Sequence, residues 1–467
     1  MIFSSLFFLF LFLPLALLCY YLLPHNWRNG VLFAASLLFY AWGEPVYIWL
    51  MLFSIFINYL YGLLLARYEK QQQVAKNILL SAAAVNIALL CFFKYADLLL
   101  QSINFVCDTE LQALNLPLPV GISFYTFQAM SYLIDLYRGE VAVQRNLLSF
   151  GTYVALFPQL IAGPIVRYQT VADQLRQRKE DINSYGYGVS RFVLGLAKKV
   201  LLANNLGLLW QEVQQLPAGE LATITAWLGM IAFALQLYYD FSGYSDMAVG
   251  LGRMFGFTFL ENFNYPYISQ SITEFWRRWH ISLGSWFREY VYIPLGGSRV
   301  SPLLMYRNLL VVWCLTGLWH GASWNFVLWG LYFGLLLALE KAFLQRWLEL
   351  LPRLFRHLYA LVLILFGWVL FVFSDLSQAW QYWQALLALN HSSWLDQQTL
   401  YLVTNYALLL LLAGLAAVPW WEKIAVKKQR NKQACYYAAA AAHLLLLILS
   451  TAYLVDSTYN PFLYFRF

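Results

Sequence analysis

Two histidines stand where side chains could do chemistry: His280 in "FWRRWHISLGSWFREYVYIPLGG" (275–297) and His320 in "LTGLWHGASWN" (315–325). Imidazole titrates near neutrality and can take a proton from a hydroxyl while an acyl group transfers to it. Inside a helical bundle it serves equally as an interhelical hydrogen-bonder, and the residues alone leave both duties open. Each histidine follows a tryptophan, but they lie on different segments, so only the fold can bring them together. His320 is the sharper case, closing a short apolar run ahead of Gly321, Ala322, Ser323 and Asn325. Around His280 cluster Arg277, Arg278, Arg288 and Arg299. They are either snorkelling interfacial residues or the wall of a basic vestibule that attracts a phosphorylated ligand.

The remaining histidines compete poorly. His25 is expected at an interface, His357 beside a basic loop, and His443 inside an apolar helix. His391 opens "HSSWLD", the H-x-x-x-x-D spacing of soluble-face glycerolipid acyltransferases, but two letters at fixed spacing recur by chance. Asp240 and Asp246 bound "DFSGYSD", which could form a proton path or a carboxylate support for arginine and histidine. No Walker loop, HExxH or nucleophile elbow occurs, so ATP-driven, zincin and serine-hydrolase chemistry lack support. Five scattered cysteines give neither a disulfide framework nor a metal spacing, and no metal site is expected.

The elements that must position these residues are membrane helices. The chain is 61% hydrophobic and 11% charged, against roughly a quarter charged in ordinary soluble domains. Apolar runs of spanning length occur at 2–23, 46–66, 77–100, 223–239, 324–340, 357–374, 401–421 and 434–455, with shorter ones at 30–43, 121–137, 187–207 and 308–320. An all-α polytopic membrane protein of about 11–12 transmembrane segments is predicted. The run 145–167, bracketed by Arg145 and Arg167 and interrupted at Gly163-Pro164, predicts a re-entrant or broken segment. Lysine and arginine concentrate at 67–76, 176–199, 277–307, 341–356 and 423–432 and are missing from 101–118, 209–225 and 375–400. By the positive-inside rule the latter loops and both termini face away from the cytoplasm. The N-terminus lacks a basic n-region and a cleavage site, and is expected to be a retained first helix. No repeat divides the chain. A single membrane domain over 1–467 is expected, with N-terminal helices (1–240), a histidine-bearing core (240–334) and C-terminal helices with an aromatic tail (335–467).

The segments "MIFSSLFFLFLFLPL", "FYAWGEP", "PVGISFYTFQAMSYLIDLYRG", "FPQLIAGPIVRY", "YYDFSGYSDMAVGLGRMFGF", "WRRWHISLGSWFREYVYIPLGG" and "TGLWHGASWNFVLWGLYFG" resemble the membrane-bound O-acyltransferases. Within that family they are most similar to the bacterial branch typified by the alginate O-acetyltransferase membrane subunit. The resemblance implies helices surrounding a central funnel or tunnel where an acyl thioester donor, acetyl-CoA or another, meets a hydroxyl acceptor. It implies that His320 is the central catalytic histidine and His280 a supporting, cytoplasm-side one. Asn325 or the Trp319 N–H would support an oxyanion, and Arg277, Arg278 and Arg288 with Trp276 and Trp279 would bind the donor. A covalent acyl-enzyme is the alternative to direct transfer. Membrane lipid, an exported polysaccharide and an extracytoplasmic acetylating protein are the implied partners, in a bacterial inner membrane. Neither a resident cofactor nor a nucleic acid is expected.

The end of the chain, "STYNPFLYFRF", is an interfacial aromatic belt or, by similarity to the tyrosine-bearing partner of the D-alanylation machinery, places Tyr464 as an acyl relay. Competing functions are D-alanyl or other acyl transfer to a cell-wall polymer, a transporter or flippase of an exopolysaccharide system, and an inert scaffold.

Overall fold

The computed structural model describes residues 1–161, 163–390, 392–420, 432–456, 459–461 and Leu463. The described residues form helices joined by turns, with no strand. Among the described residues, nine helices are long and apolar enough to cross a membrane: α3 (Ile48–Arg67), α4 (Gln72–Cys107), α8 (Ile182–Gln214), α9 (Thr223–Met254), α12 (Pro302–His320), α13 (Trp324–Leu350), α14 (Arg353–Val372), α16 (Gln397–Ala416) and α17 (Tyr436–Asp456). A shorter apolar helix, α1, covers Phe8–Leu22. The chain is therefore a multi-pass membrane protein.

Three of the expected segments form helices shorter than a span, the run 2–23 among them as α1. The runs 30–43 and 121–137 become α2 (Arg28–Ala41, 14 residues) and α5 (Ile122–Tyr137, 16 residues). At about 1.5 Å per residue neither matches a hydrocarbon layer of about 30 Å. α5 is enclosed by protein instead, which lets it carry buried Ser123, Thr126, Gln128, Ser131 and Asp135. The run 145–167 is broken, one of the two alternatives expected: α6 (Leu147–Ala155) is followed by a separate helical turn at Phe157–Leu160, and α7 begins only at Tyr168 (Tyr168–Arg176).

The chain divides into two compact units, Met1–Phe192 with Tyr244–Glu261, and Val193–Gly243 with Asn262–Phe467. The first is built on aromatic packing of Phe3, Phe8, Phe12, Phe39 and Phe157, with Phe3 stacked on Tyr244 at 4.5 Å. Asn58 and Asn86 exchange amide hydrogen bonds (3.1 and 2.8 Å) between α3 and α4, satisfying polar groups that lipid would leave unpaired. Arg191 binds Asp246 at 2.7 Å and Glu261 at 2.5 Å. Asp246 thus supports an arginine, one of the duties expected of it.

The second unit contains both histidine motifs. Its centre is the α12–α13 hairpin, whose connection, residues 321–323, is short enough to force antiparallel neighbours. The helices touch through glycine: a Cβ on Gly317 would collide with the Phe326 carbonyl, and one on Gly330 with the Trp313 carbonyl. Between α9 and this hairpin lie two short helices, α10 (Ile272–Arg278) and α11 (Ile281–Phe287). α15 (Leu376–Leu386) completes the set.

Candidate active site

His320 is the last residue of α12 and is buried, with 2% exposure. The glycine-mediated contact of α12 with α13 brings its ring against Trp329 (centroids 4.9 Å, interplanar 81°). Trp319 (4.9 Å, 84°) and Phe371 of α14 (5.5 Å, 74°) also meet it edge to face. An imidazole walled by aromatic rings is shielded from bulk water, so its interactions with a reacting group are strengthened by low dielectric.

His280 sits between α10 and α11 in the left-handed region (φ 47°, ψ 52°), a conformation costing an ordinary L-residue about 1–2 kcal/mol. Asn262 holds it there. The Asn262 carbonyl accepts from Ile281 N–H (3.0 Å), and its Oδ1 accepts from Ser282 N–H (3.1 Å) and the Ser282 hydroxyl (2.9 Å). The same Oδ1 lies 3.2 Å from His280 Nδ1. An atom that accepts from a backbone N–H is an acceptor, so His280 Nδ1 donates and the Nε2 position carries the lone pair of the neutral ring. Burial drives the His280 pKa down, to about 3.

The α10 segment that delivers His280 is fixed from a distance. Buried Glu340 of α13 accepts from Ile272 N–H (2.7 Å), Thr273 N–H (2.8 Å), the Thr273 hydroxyl (2.6 Å) and the Tyr359 hydroxyl (3.1 Å). Together with the Ser271 side chain, which accepts from Glu274 N–H at 3.0 Å, it caps the start of α10 with charge of the favourable sign.

The two histidines share one neighbour. The Trp319 indole is 5.7 Å from the His280 ring and 4.9 Å from that of His320. Phe241 of α9 closes on His280 from another side at 4.7 Å.

The other expected site residues separate into groups. Arg277 is exposed, with neither an ion pair nor a hydrogen bond among the described residues. Arg278 is engaged by Glu274 (2.9 Å) and the Asn264 carbonyl (3.1 Å). Arg288, 69% exposed, faces Glu289 at 3.5 Å. Trp276 packs on Trp313 (4.6 Å), Phe333 (5.0 Å) and Trp329 (5.5 Å). Trp279 is interior, stacked on Phe275 and against Trp368. The Asn325 amide donates to the Leu370 carbonyl at 3.0 Å, and its Oδ1 accepts from the Ser323 hydroxyl, so it tethers α13 to α14 beside Phe371. His25 lies 3.4 Å from Arg28, His357 Nδ1 is 3.0 Å from the Ser269 carbonyl, and His443 Nδ1 meets the Ala439 carbonyl. His391 and Tyr464 lie outside the described residues.

Asp240 meets neither histidine. It is buried and paired with Lys199 of α8 at 2.6 Å. Lys199, which ends the basic cluster 176–199 and lies within the apolar run 187–207, is itself buried in mid-helix. Asn262, Glu340, Lys199 and Trp329 were not singled out by sequence. For Glu340 and Lys199 the signal was there, since each places a charge within a long apolar helix.

The arrangement joins a buried imidazole, a second imidazole in a fixed tautomer and an aromatic enclosure, which suits proton transfer from a hydroxyl to a shielded base. A family model, "MBOAT, membrane-bound O-acyltransferase family", matches residues 37–377, which include both histidines. The chain belongs to the membrane-bound O-acyltransferase family. It is accordingly an O-acyltransferase. Among curated relatives of this family, "Probable alginate O-acetylase AlgI" of Azotobacter vinelandii is 43% identical over 88% of this chain and 83% of its own. The protein of the same name from Pseudomonas aeruginosa is 43% identical over 83% and 75%. "Peptidoglycan O-acetyltransferase" of Helicobacter pylori is 34% identical over 84% and 80%. The two histidine motifs resembling this family therefore sit within its matched span, and α16 and α17 lie beyond it.

Proposed function

We propose that the protein transfers an acetyl group from an acyl thioester, acetyl-CoA, to hydroxyls of an exported polysaccharide of the alginate kind, directly or through an extracytoplasmic protein partner. The observation that carries this is His320, buried against Trp319, Trp329 and Phe371 in a chain of this family. His320 removes the proton as the acceptor oxygen attacks the thioester carbonyl, then returns it to the departing thiolate. Neutral His280, held by Asn262, supports the Trp319 side of the enclosure. Arg277, exposed and uncommitted, is suited to a donor phosphate, with Arg278 and Arg288 beside it in sequence. Acetyl transfer is favoured over D-alanyl transfer by the relatives: the alginate and peptidoglycan proteins match at 34–43% over most of the chain. "Teichoic acid D-alanyltransferase" of Streptococcus thermophilus matches at 28% over 49% of it. The membrane is the bacterial inner membrane, with basic loops in the cytoplasm, both termini outside and the acetyl group passing through a central funnel to the far side.

The test is thiol release from acetyl-CoA by purified wild type and His320→Ala in detergent, with labelled acetyl followed into protein and added acceptor. Release by wild type alone supports the assignment. Equal release from a folded His320→Ala variant sinks the base role, and label retained on protein replaces direct transfer by a covalent intermediate.

A further inference from the structure

An acyl transfer needs a donor for the charge that forms on the carbonyl oxygen, and the sequence offered Asn325 or Trp319. Asn325 is bound to Leu370, which leaves its amide serving the α13–α14 contact. A different donor stands beside the base. Trp329 is fully buried, its ring centroid is 4.9 Å from that of His320, and its Nε1–H has no hydrogen-bond partner among the described residues. Indole N–H can only donate. A buried tryptophan normally finds a partner for it, and leaving one unsatisfied costs about 1–3 kcal/mol.

We propose that the Trp329 indole N–H is the oxyanion donor of the transfer reaction, an assignment that rests on the reading of His320 as the base. The acceptor oxygen bonds to the thioester carbon, its proton passes to His320, and the C=O electron pair moves onto the carbonyl oxygen. That oxygen receives the Trp329 hydrogen bond. The pair then returns, the C–S bond breaks, and the thiolate leaves with the proton from His320, so atoms and charge balance. A base and an oxyanion donor each stand about 3 Å from two oxygens of one tetrahedral carbon, which sets them several ångströms apart, as these neighbouring rings are. Trp276 is the adjacent indole, 5.5 Å from Trp329, and its buried Nε1 also has no partner among the described residues. It stands one ring further out and is the internal comparison.

The experiment replaces Trp329 by 3-benzothienylalanine, which keeps the ring shape and substitutes sulfur for N–H, alongside Trp329→Phe, Trp276→Phe and His320→Ala. Thiol release from acetyl-CoA is measured with thermal unfolding of each variant. The expected result is a kcat lower by about 10²–10³ for the isosteric variant with KM and Tm unchanged, and a smaller loss for Trp276→Phe. Wild-type kcat in the isosteric variant while His320→Ala is inactive overturns the Trp329 assignment alone. Full activity in both overturns the reading of His320 as well.

Discussion

Lys199 and Asp240 meet 2.6 Å apart inside the protein, and the end of the chain is fastened to both of them. Lys199 Nζ donates to the Pro461 carbonyl, and Leu463 N–H donates to Asp240 Oδ2 at 2.8 Å. The pair thus reads one backbone acceptor and one backbone donor, while Asn204 holds Asn460 at 3.3 Å. Removing one member strands the other charge in low dielectric, at a cost of about 3–5 kcal/mol. Lys199→Met and Asp240→Asn are each expected to lower Tm in detergent and to expose the C-terminal segment to limited proteolysis. The double variant is expected to lose less than the sum of the singles, because the contacts are shared. Additive losses would show that the two residues act separately.

Glu340 is a positioning residue for the segment bearing Arg277 and His280. It satisfies two backbone N–H groups and the hydroxyls of Thr273 and Tyr359. Glu340→Ala abandons these donors, with an expected stability loss of several kcal/mol at about 1–3 kcal/mol each. Glu340→Gln retains one acceptor oxygen and is expected to recover part of the activity with the pH profile unchanged. Full activity of Glu340→Ala would deny the positioning role.

The depressed pKa of His280 has a pH signature of definite sign. In the unfolded chain it takes a proton near pH 6.5, whereas burial keeps the folded form neutral to about pH 3. Above pH 6.5 the group contributes no pH dependence. As pH falls below 6.5 only the unfolded state gains the proton, so the fold loses stability, by about 2 kcal/mol at pH 5. His280→Asn should flatten the decline of Tm between pH 7 and pH 5. An equally steep decline in the variant would assign the acid sensitivity elsewhere.

The arginines of the "WRRW" stretch divide by their partners. Arg278 is held by Glu274 and by the Asn264 carbonyl, whereas Arg277 is exposed and uncommitted. If Arg277 binds the donor as proposed, Arg277→Gln is expected to raise KM for acetyl-CoA about 10- to 100-fold at unchanged kcat, the loss of one charge-assisted contact of about 1.5–3 kcal/mol. Arg278→Gln should act chiefly on stability, within about 1 kcal/mol for a half-exposed pair. The reverse pattern, a KM effect confined to Arg278, would relocate donor binding.

Much of this was legible in the residues. Apolar runs of the right length gave α3, α4, α13, α14, α16 and α17, because a helix in lipid must satisfy its backbone internally and its length is set by the layer. The shorter runs 30–43 and 121–137 give helices below spanning length, and α5, enclosed by protein, has no bilayer to match. Placing the end of a span at 239 also fell short, because "DFSGYSD" continues as helix to Met254 with its polar side chains turned inward. His280 and His320 were visible as residues, but the shared contact with Trp319 was not, being made by two helices distant in sequence. The capping of α10 by Glu340 is hidden for the same reason, since nothing local to "SITEFWRR" calls for a remote carboxylate.

Gly317 makes the connection between backbone packing and the proposed base, His320, testable. A Cβ there falls on the Phe326 carbonyl, with Gly330 Cα 3.3 Å away, so there is no flexible side chain to yield. α12 must move off α13, and His320 is three residues further along the same helix. Gly317→Ala favours the helix by about 1 kcal/mol through propensity, yet overpacking costs about 1–3 kcal/mol and shifts the imidazole from Trp329. A misplacement of about 1 Å is enough to lower kcat about 10²-fold. Gly414→Ala in α16, where an added Cβ meets open space, is the control and should raise or preserve Tm with unchanged kcat. Equal kcat in the two alanine variants would separate the hairpin contact from the chemistry at His320.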